Sequence, residues 1–274
     1  SGTICPRPVN WGCAYYAYKE KCLSRRPAKM FSAIINRCQL LNGLNKLNRV
    51  ICNSSYVRGQ LLANGLPSEK IIVNPLFPGG KLEANHLNNT EEPSIPEILF
   101  VGRLFIEKGG DCLLKAVALI KVPYNLIIVG DGWEFENLKT LTRTLGLELK
   151  VQFKGFISRE EIEVHYDRCR MLVMPAVWPE PFGMVGLEAM SHGKPVVAFN
   201  CGGISEWLAD EKVGFLVRRG NTEELAGKIE TLLTNPDLAG KMGAAGRYMV
   251  ETEYRLENHL ERLIEVYREI ARKN

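Results

Sequence analysis

From about residue 95 onward the chain repeats one pattern: a short, continuous apolar run, a turn rich in glycine or proline, then an amphipathic stretch. No other feature constrains the fold as much. Uninterrupted apolar runs this short suit strands buried on both faces, and such burial requires helices above and below the sheet. Strands are predicted at residues 98–101, 126–129, 151–153, 171–174, 195–199 and 214–217. Between them, helices are predicted at 112–120, after Lys108-Gly109-Gly110, and at 134–145, after Asp131-Gly132. Ser158 with Glu161 has the spacing of a capping box, and Asn221 with Glu224 repeats it. Alternating strands and helices specify an α/β fold with a doubly wound parallel sheet.

Residues 1–75 read differently. An amphipathic stretch at 28–47 leads into a strand at 49–52, a helix at 56–64 and a strand at 70–73. Two β-α units are too few to stand as an open sheet, so this is a partial N-terminal α/β domain. The segment 75–96, rich in Pro, Gly and Asn, reads as a linker. Near the end, Leu256, Leu260, Leu263, Ile264, Tyr267 and Ile270 fall at helical spacing and need a surface to pack on.

Charge is uneven along the chain. Residues 1–70 carry 11 Lys and Arg against 2 Asp and Glu, while the net charge of the whole is +4. The basic segment, which includes Lys19, Lys21, Arg25, Arg26, Lys29, Arg37, Lys46, Arg49 and Arg58, fits either attraction to anionic lipid or phosphate, or a solvated face. No run approaches the roughly 18 apolar residues of a membrane span. The opening Ser1-Gly2-Thr3-Ile4-Cys5-Pro6 lacks the basic and apolar regions of a signal peptide, and with no initiator Met it implies a fragment or processed product. Five cysteines (Cys5, Cys13, Cys22, Cys38, Cys52) have irregular spacing with no histidine among them, so reduced thiols in a cytoplasmic protein are expected rather than zinc ligands.

Three constellations fall at the carboxyl ends of predicted strands, where ligands bind in such sheets. Gly102-Arg103 follows the first strand, with Lys108-Gly109 shortly after, and the two cations suit a diphosphate. Glu180-Pro181-Phe182-Gly183-Met184-Val185-Gly186-Leu187-Glu188 opens a helix near Gly183, and the first N–H groups of a helix can hold phosphate. Glu188 then lies about 8 Å along the axis, so two carboxylates can reach opposite ends of an extended ligand. Glu188 also sits among Val185, Leu187, Ala189 and Met190, where an unpartnered carboxylate would be costly. Cys201-Gly202-Gly203-Ile204-Ser205-Glu206 carries a glycine pair that suits either a ligand or a tight turn.

In this order and spacing the motifs resemble retaining nucleotide-sugar glycosyltransferases of group 1, which have two Rossmann-like domains in the GT-B fold. The resemblance covers about residues 48–274 and includes Val50-Ile51-Cys52-Asn53-Ser54-Ser55, Ile71-Ile72-Val73-Asn74-Pro75, and Val101-Gly102-Arg103 with Lys108-Gly109. Its most specific mark is the spacing from Glu180 to Glu188 with Pro-Phe-Gly after the first Glu. The resemblance implies that Arg103 and Lys108 neutralise the leaving diphosphate and that Glu180 contacts the transferred sugar. Glu188 would bind the ribose hydroxyls, and Gly102, Phe182 and the amides of Gly183, Met184 and Val185 would line the donor site. Val151 to Gly155, with Phe156 and Ile157, resembles the strand and loop beside the nucleobase. Retention would proceed by front-face attack, with charge stabilisation in place of a side-chain base and no metal or cofactor. The donor would be a UDP-, GDP- or ADP-linked sugar and the acceptor a polysaccharide, lipid or small glycoside.

By the same resemblance, residues 1–75 are the remnant of the acceptor-side domain, 76–95 the linker, 96–252 the donor-binding domain and 253–274 a helix crossing back to the N-terminal part. The Gly-rich loop and central His of a complete first domain are absent. Cys5-Pro6, Cys13 and Cys22-Leu23 resemble a cysteine-bearing loop late in that domain. Two other readings stand beside transfer: a non-catalytic nucleotide-sugar-binding module that needs a partner, and a sugar-nucleotide epimerase, which the Arg103/Lys108 pair fits less well. Gly130-Asp131-Gly132 lacks the third glycine of a dinucleotide fingerprint, which argues against a nicotinamide dehydrogenase. A nucleic-acid partner is not expected, and peripheral membrane contact rests on the basic segment alone.

Overall fold

Successive side chains of a strand face opposite sides of a sheet, and a computed structural model of the chain shows that alternation filling two cores. It describes residues 13, 15, 26–79 and 93–272. Ile98, Phe100, Leu126, Ile128, Val197 and Phe199 belong to one apolar cluster, and Leu99, Ile127, Val129, Leu172, Val196 and Ala198 to another. These are the two faces of one six-stranded parallel sheet. Its strands are β3 (Glu97–Val101), β4 (Asn125–Val129), β5 (Val151–Gly155), β6 (Met171–Met174), β7 (Val196–Phe199) and β8 (Gly214–Val217). Their spatial order is β5-β4-β3-β6-β7-β8. Counted from β3 this is the Rossmann order, and it reverses between β3 and β6. The expected α/β doubly wound sheet is therefore present.

Helices α3 (Gly110–Val117), α4 (Phe135–Thr144), α7 (Thr222–Thr234) and α8 (Pro236–Glu253) contribute to the first cluster. Helices α5 (Arg159–Arg168) and α6 (Met184–Ser191) contribute to the second. Helix α5 opens with the predicted capping box: Ser158 Oγ accepts from Glu161 N at 3.3 Å, and Glu161 Oε2 accepts from Ser158 N at 2.9 Å. At α7 only half of the predicted box forms. Asn221 Oδ1 accepts from Glu224 N (3.2 Å), but the Glu224 carboxylate accepts from the Asn221 side chain and from Arg218 N instead.

Helix α3 begins and ends earlier than the predicted 112–120. The Tyr124 hydroxyl donates to Val117 O at 2.7 Å, and Lys121 N donates to Glu230 Oε1 at 3.2 Å, so these groups are used outside a continued helix. β7 starts at Val196 rather than Pro195, which has no N–H to donate. β5 runs two residues past its predicted end, and Gly155 O accepts from Gly130 N at 2.8 Å.

Two compact units make up the chain: residues 1–75 with 259–274, and residues 76–258. In the first, β1 (Val50–Cys52) pairs in parallel with β2 (Ile71–Val73). Helix α1 (Pro27–Asn45) begins at a proline, whose fixed φ suits a first turn. Helix α2 (Ser55–Ala63) is capped by the buried Ser54, whose side chain accepts from Val57 N at 3.1 Å. Helix α9 (Leu256–Ala271) joins this unit from His259 on: His259 O accepts from the Asn74 side chain at 3.2 Å, and Glu269 pairs with Arg49. In the second unit Leu76 packs on the Leu99 cluster and Pro78 is buried, so residues 76–79 are part of the fold rather than a free linker. Residues 80–92, and the predicted cysteine loop apart from Cys13, lie outside the described residues.

Candidate functional site

The strand order reverses between β3 and β6, and two of the predicted site residues meet beyond the carboxyl ends of these strands. Lys108 Nζ forms an ion pair with Glu180 Oε1, with side-chain exposures of 31% and 13%. Lys108 ends a 3₁₀ turn (Ile106–Lys108), and Gly109 follows in the left-handed region at φ 68°. A Cβ at Gly109 would come 1.9 Å from Pro175 O, so only glycine lets this turn seat against the end of β6. The two loops are also tied by Val177 N and Trp178 N, which donate to Glu107 O at 2.9 and 3.3 Å.

Glu180 is fixed from its other side by Gly202. Its φ is 74°, a Cβ there would come 2.2 Å from Glu180 O, and Gly203 N donates to that oxygen at 2.8 Å. The glycine pair, left open between ligand and turn in the sequence, thus serves to hold the Glu180 backbone. Gly183 caps α6 in the left-handed region, and the first N–H to donate within the helix is that of Gly186, to Gly183 O at 3.0 Å. The N–H groups of Gly183, Met184 and Val185 precede it.

Below this loop lies a support that sequence reasoning missed. Trp207 is buried and its Nε1 donates to Phe182 O at 2.5 Å. Its ring lies against Gly186, where a Cβ would come 2.1 Å from Trp207 Cη2. The Phe182 side chain, expected to line the donor site, is itself buried in the core, so only its backbone is available. Met184, Val185 and Ile157 likewise pack against the Leu99 cluster.

Glu188 has the partner its surroundings demand. Tyr166 Oη donates to Glu188 Oε2 at 3.0 Å. Burial first, then the Glu188 charge, push the Tyr166 hydroxyl well above its usual range, so it stays protonated as a donor. A second omission is Arg219, beyond β8. It donates to Val177 O at 3.5 Å and hydrogen-bonds the Cys201 thiol, whose pKa is raised by burial and partly lowered by Arg219. The signal was available: Arg218-Arg219-Gly220 follows a strand as Gly102-Arg103 does.

The remaining predicted site residues have surroundings of their own. Gly102 N donates to Val129 O at 3.0 Å, which ties the end of β3 to β4. Arg103 is exposed with its guanidinium 5.0 Å from the Phe105 ring centroid. Phe156 is 88% exposed. Among the described residues, no group of three or more His, Cys, Asp or Glu side chains is placed to hold a metal ion, and no helix is long and apolar enough to cross a membrane.

The sequence matches glycosyl transferases group 1 over residues 83–249, more than half of the chain. The chain belongs to that family. Among its relatives, an uncharacterized glycosyltransferase of Haemophilus influenzae is 35% identical over 232 residues, covering 83% of this chain and 60% of its own length. The GDP-mannose-dependent alpha-(1-6)-phosphatidylinositol monomannoside mannosyltransferase of Mycobacterium tuberculosis is 31% identical over 182 residues, covering 63% of this chain and 47% of its own length. The group 1 chain thus spans about half to three fifths of these relatives. Its fold is that of the solved GT-B glycosyltransferases. Anabaena HepE, crystallised with UDP and glucose, matches with a TM-score of 0.77 at 26% identity, over 86% of this chain and 67% of HepE.

Proposed function

We propose that residues 96–252 form the donor-binding domain of a retaining glycosyltransferase that moves a sugar from a nucleoside diphosphate to an acceptor. The observation that carries this reading is the convergence of Lys108 and Glu180 at the strand-order reversal, beside the open N-terminus of α6. A diphosphate entering there exchanges the Glu180 carboxylate for its own oxygens on Lys108, and Arg103 adds a second cation. The released Glu180 faces the transferred sugar. Glu188, oriented by Tyr166, accepts from the ribose hydroxyls with its remaining lone pairs. Phe156 and Ile157 flank the base.

Front-face transfer needs charge stabilisation as the diphosphate departs more than it needs a side-chain base, and the cations here suit that role. The nucleotide sugar is substrate, and no further cofactor or metal is invoked. Relatives differ in base: the mycobacterial enzyme is GDP-mannose-dependent, whereas HepE was crystallised with UDP. Residues 1–75 and 253–274 would belong to the acceptor-side half, and the basic segment would give peripheral contact with a membrane at its cytoplasmic face.

A thermal-shift panel of UDP, GDP, ADP and their sugar conjugates tests the donor site. A ligand at 100 times its dissociation constant should add about 2.7 kcal/mol of apparent stability. Glu188→Ala should weaken that ligand by about 1.5–3 kcal/mol. Full affinity in a folded Glu188→Ala variant would refute the ribose role. Turnover of the selected conjugate with an acceptor, read for the product anomer, separates transfer from binding alone.

A further inference from the structure

Beside the Lys108 turn the fold displays an aromatic surface whose rings have no role in the donor reading. Trp133 is 88% exposed and stacks on Phe105, with ring centroids 5.0 Å apart and an interplanar angle of 26°. The Arg103 guanidinium lies 5.0 Å from the Phe105 centroid, and Ile106 next to it is exposed. Trp133 adds nothing to either core, yet its position is closely held. Leu104, fully buried, donates from N to Asp131 O at 2.8 Å and accepts at O from Glu134 N at 2.9 Å. The loops after β3 and β4 are thereby locked at the residues flanking both rings. A bulky ring displayed in water on a rigid frame is preorganised for a ligand, because little is left to order on binding.

The fringe of this surface identifies the ligand. Asp131 and Glu134 flank Trp133 in the chain; Asp131 Oδ1 accepts from Gly132 N at 2.7 Å and Glu134 Oε2 from the Asn137 side chain at 3.2 Å, and the second oxygen of each is left for a ligand hydroxyl. Carboxylates accept from hydroxyls and repel phosphates, while an indole face packs against C–H groups. A neutral pyranose offers both, an apolar face of axial C–H groups on its chair and hydroxyls around the rim.

We infer that Trp133 and Phe105 form a pyranose-stacking subsite, with Asp131 and Glu134 as hydroxyl acceptors, that holds a sugar unit of the carbohydrate substrate next to the donor site. The role as substrate rests on the transfer reading above; the stacking itself does not.

Saturation-transfer NMR with the methyl pyranosides of glucose, galactose, mannose and N-acetylglucosamine, at millimolar concentration, tests it. Uridine and guanosine serve as comparison rings. The parent chain should receive at least one pyranoside. Trp133→Ala should weaken it about tenfold or more, and Trp133→Phe should retain most of the affinity. Nucleoside diphosphate affinity should stay within about twofold in both variants, so failure of the donor reading would be seen separately. Because Trp133 is exposed, these variants should unfold at the parent temperature. Absence of pyranoside binding, or equal binding by Trp133→Ala, would overturn the proposal. Loss of nucleoside rather than pyranoside on Trp133→Ala would also overturn it, in favour of base stacking.

Discussion

Two stretches of the same sheet edge are built in opposite ways. Over β6 and β7, charged and aromatic groups are answered inside the fold: Lys108 meets Glu180, Tyr166 meets Glu188, and Trp207 lies buried under the Phe182 carbonyl. Over β4 and β5, Trp133 and Phe156 stand in solvent, each 88% exposed. A carboxylate that must hold one geometry needs a framework, as Glu180 has from Gly202 and Gly203 at its backbone and from Lys108 at its side chain. A ring that meets its ligand by one face needs only a rigid stem, as Leu104 gives. The first stretch therefore ties its candidate site residues into the stability of the fold, and the second leaves its rings outside it.

The sharpest way to break this contrast is a pair of truncations in one denaturation series. Trp207→Ala removes a fully buried ring and its hydrogen bond to Phe182 O, and should cost about 3–5 kcal/mol. Phe156→Ala should change stability by less than about 0.5 kcal/mol. Similar costs for the two would mean that the edge is uniformly built.

A smaller effect comes from pH. His165 on α5 has its pKa lowered, first by burial and then by Lys154, and its Nδ1 is buried without a hydrogen-bond partner. The folded state therefore disfavours the imidazolium. Its contribution is fully present above the ordinary value of 6.5 and is lost as pH falls below it, because the unfolded chain takes up the proton first. Stability should decline between pH 7 and 5, and His165→Gln should flatten that slope. An unchanged slope would assign the decline to other groups.

Most of the sheet was legible because all its strands except β5 are buried on both faces, which forces continuous apolar runs. Helix ends were less so. Where α3 stops depends on Tyr124 reaching back to Val117 O, a contact invisible to local propensity. The site divides along the same line. Lys108 and Glu180 could be marked as candidates from their position after strands, and Glu188 from its place in the helix that follows, but the pairing of Lys108 with Glu180 spans 72 residues and exists only in the fold. Gly202 could be marked as special without showing that the Glu180 backbone was what approached it. Tyr166 and Trp207 carried no signal beyond that of core aromatics. Phe182, expected at the ligand, was taken by the core for its apolar surface.

The central claim is that Arg103 and Lys108 serve a diphosphate at the end of β3. Calorimetric titration of the parent chain, Arg103→Ala and Lys108→Ala with the nucleoside diphosphate chosen by the thermal panel, and with its parent nucleoside, tests it most directly. Loss of a charge-assisted contact should weaken the diphosphate by about 1.5–3 kcal/mol, roughly 10- to 150-fold, and leave the nucleoside unchanged. Equal losses for both ligands, or none, would contradict it.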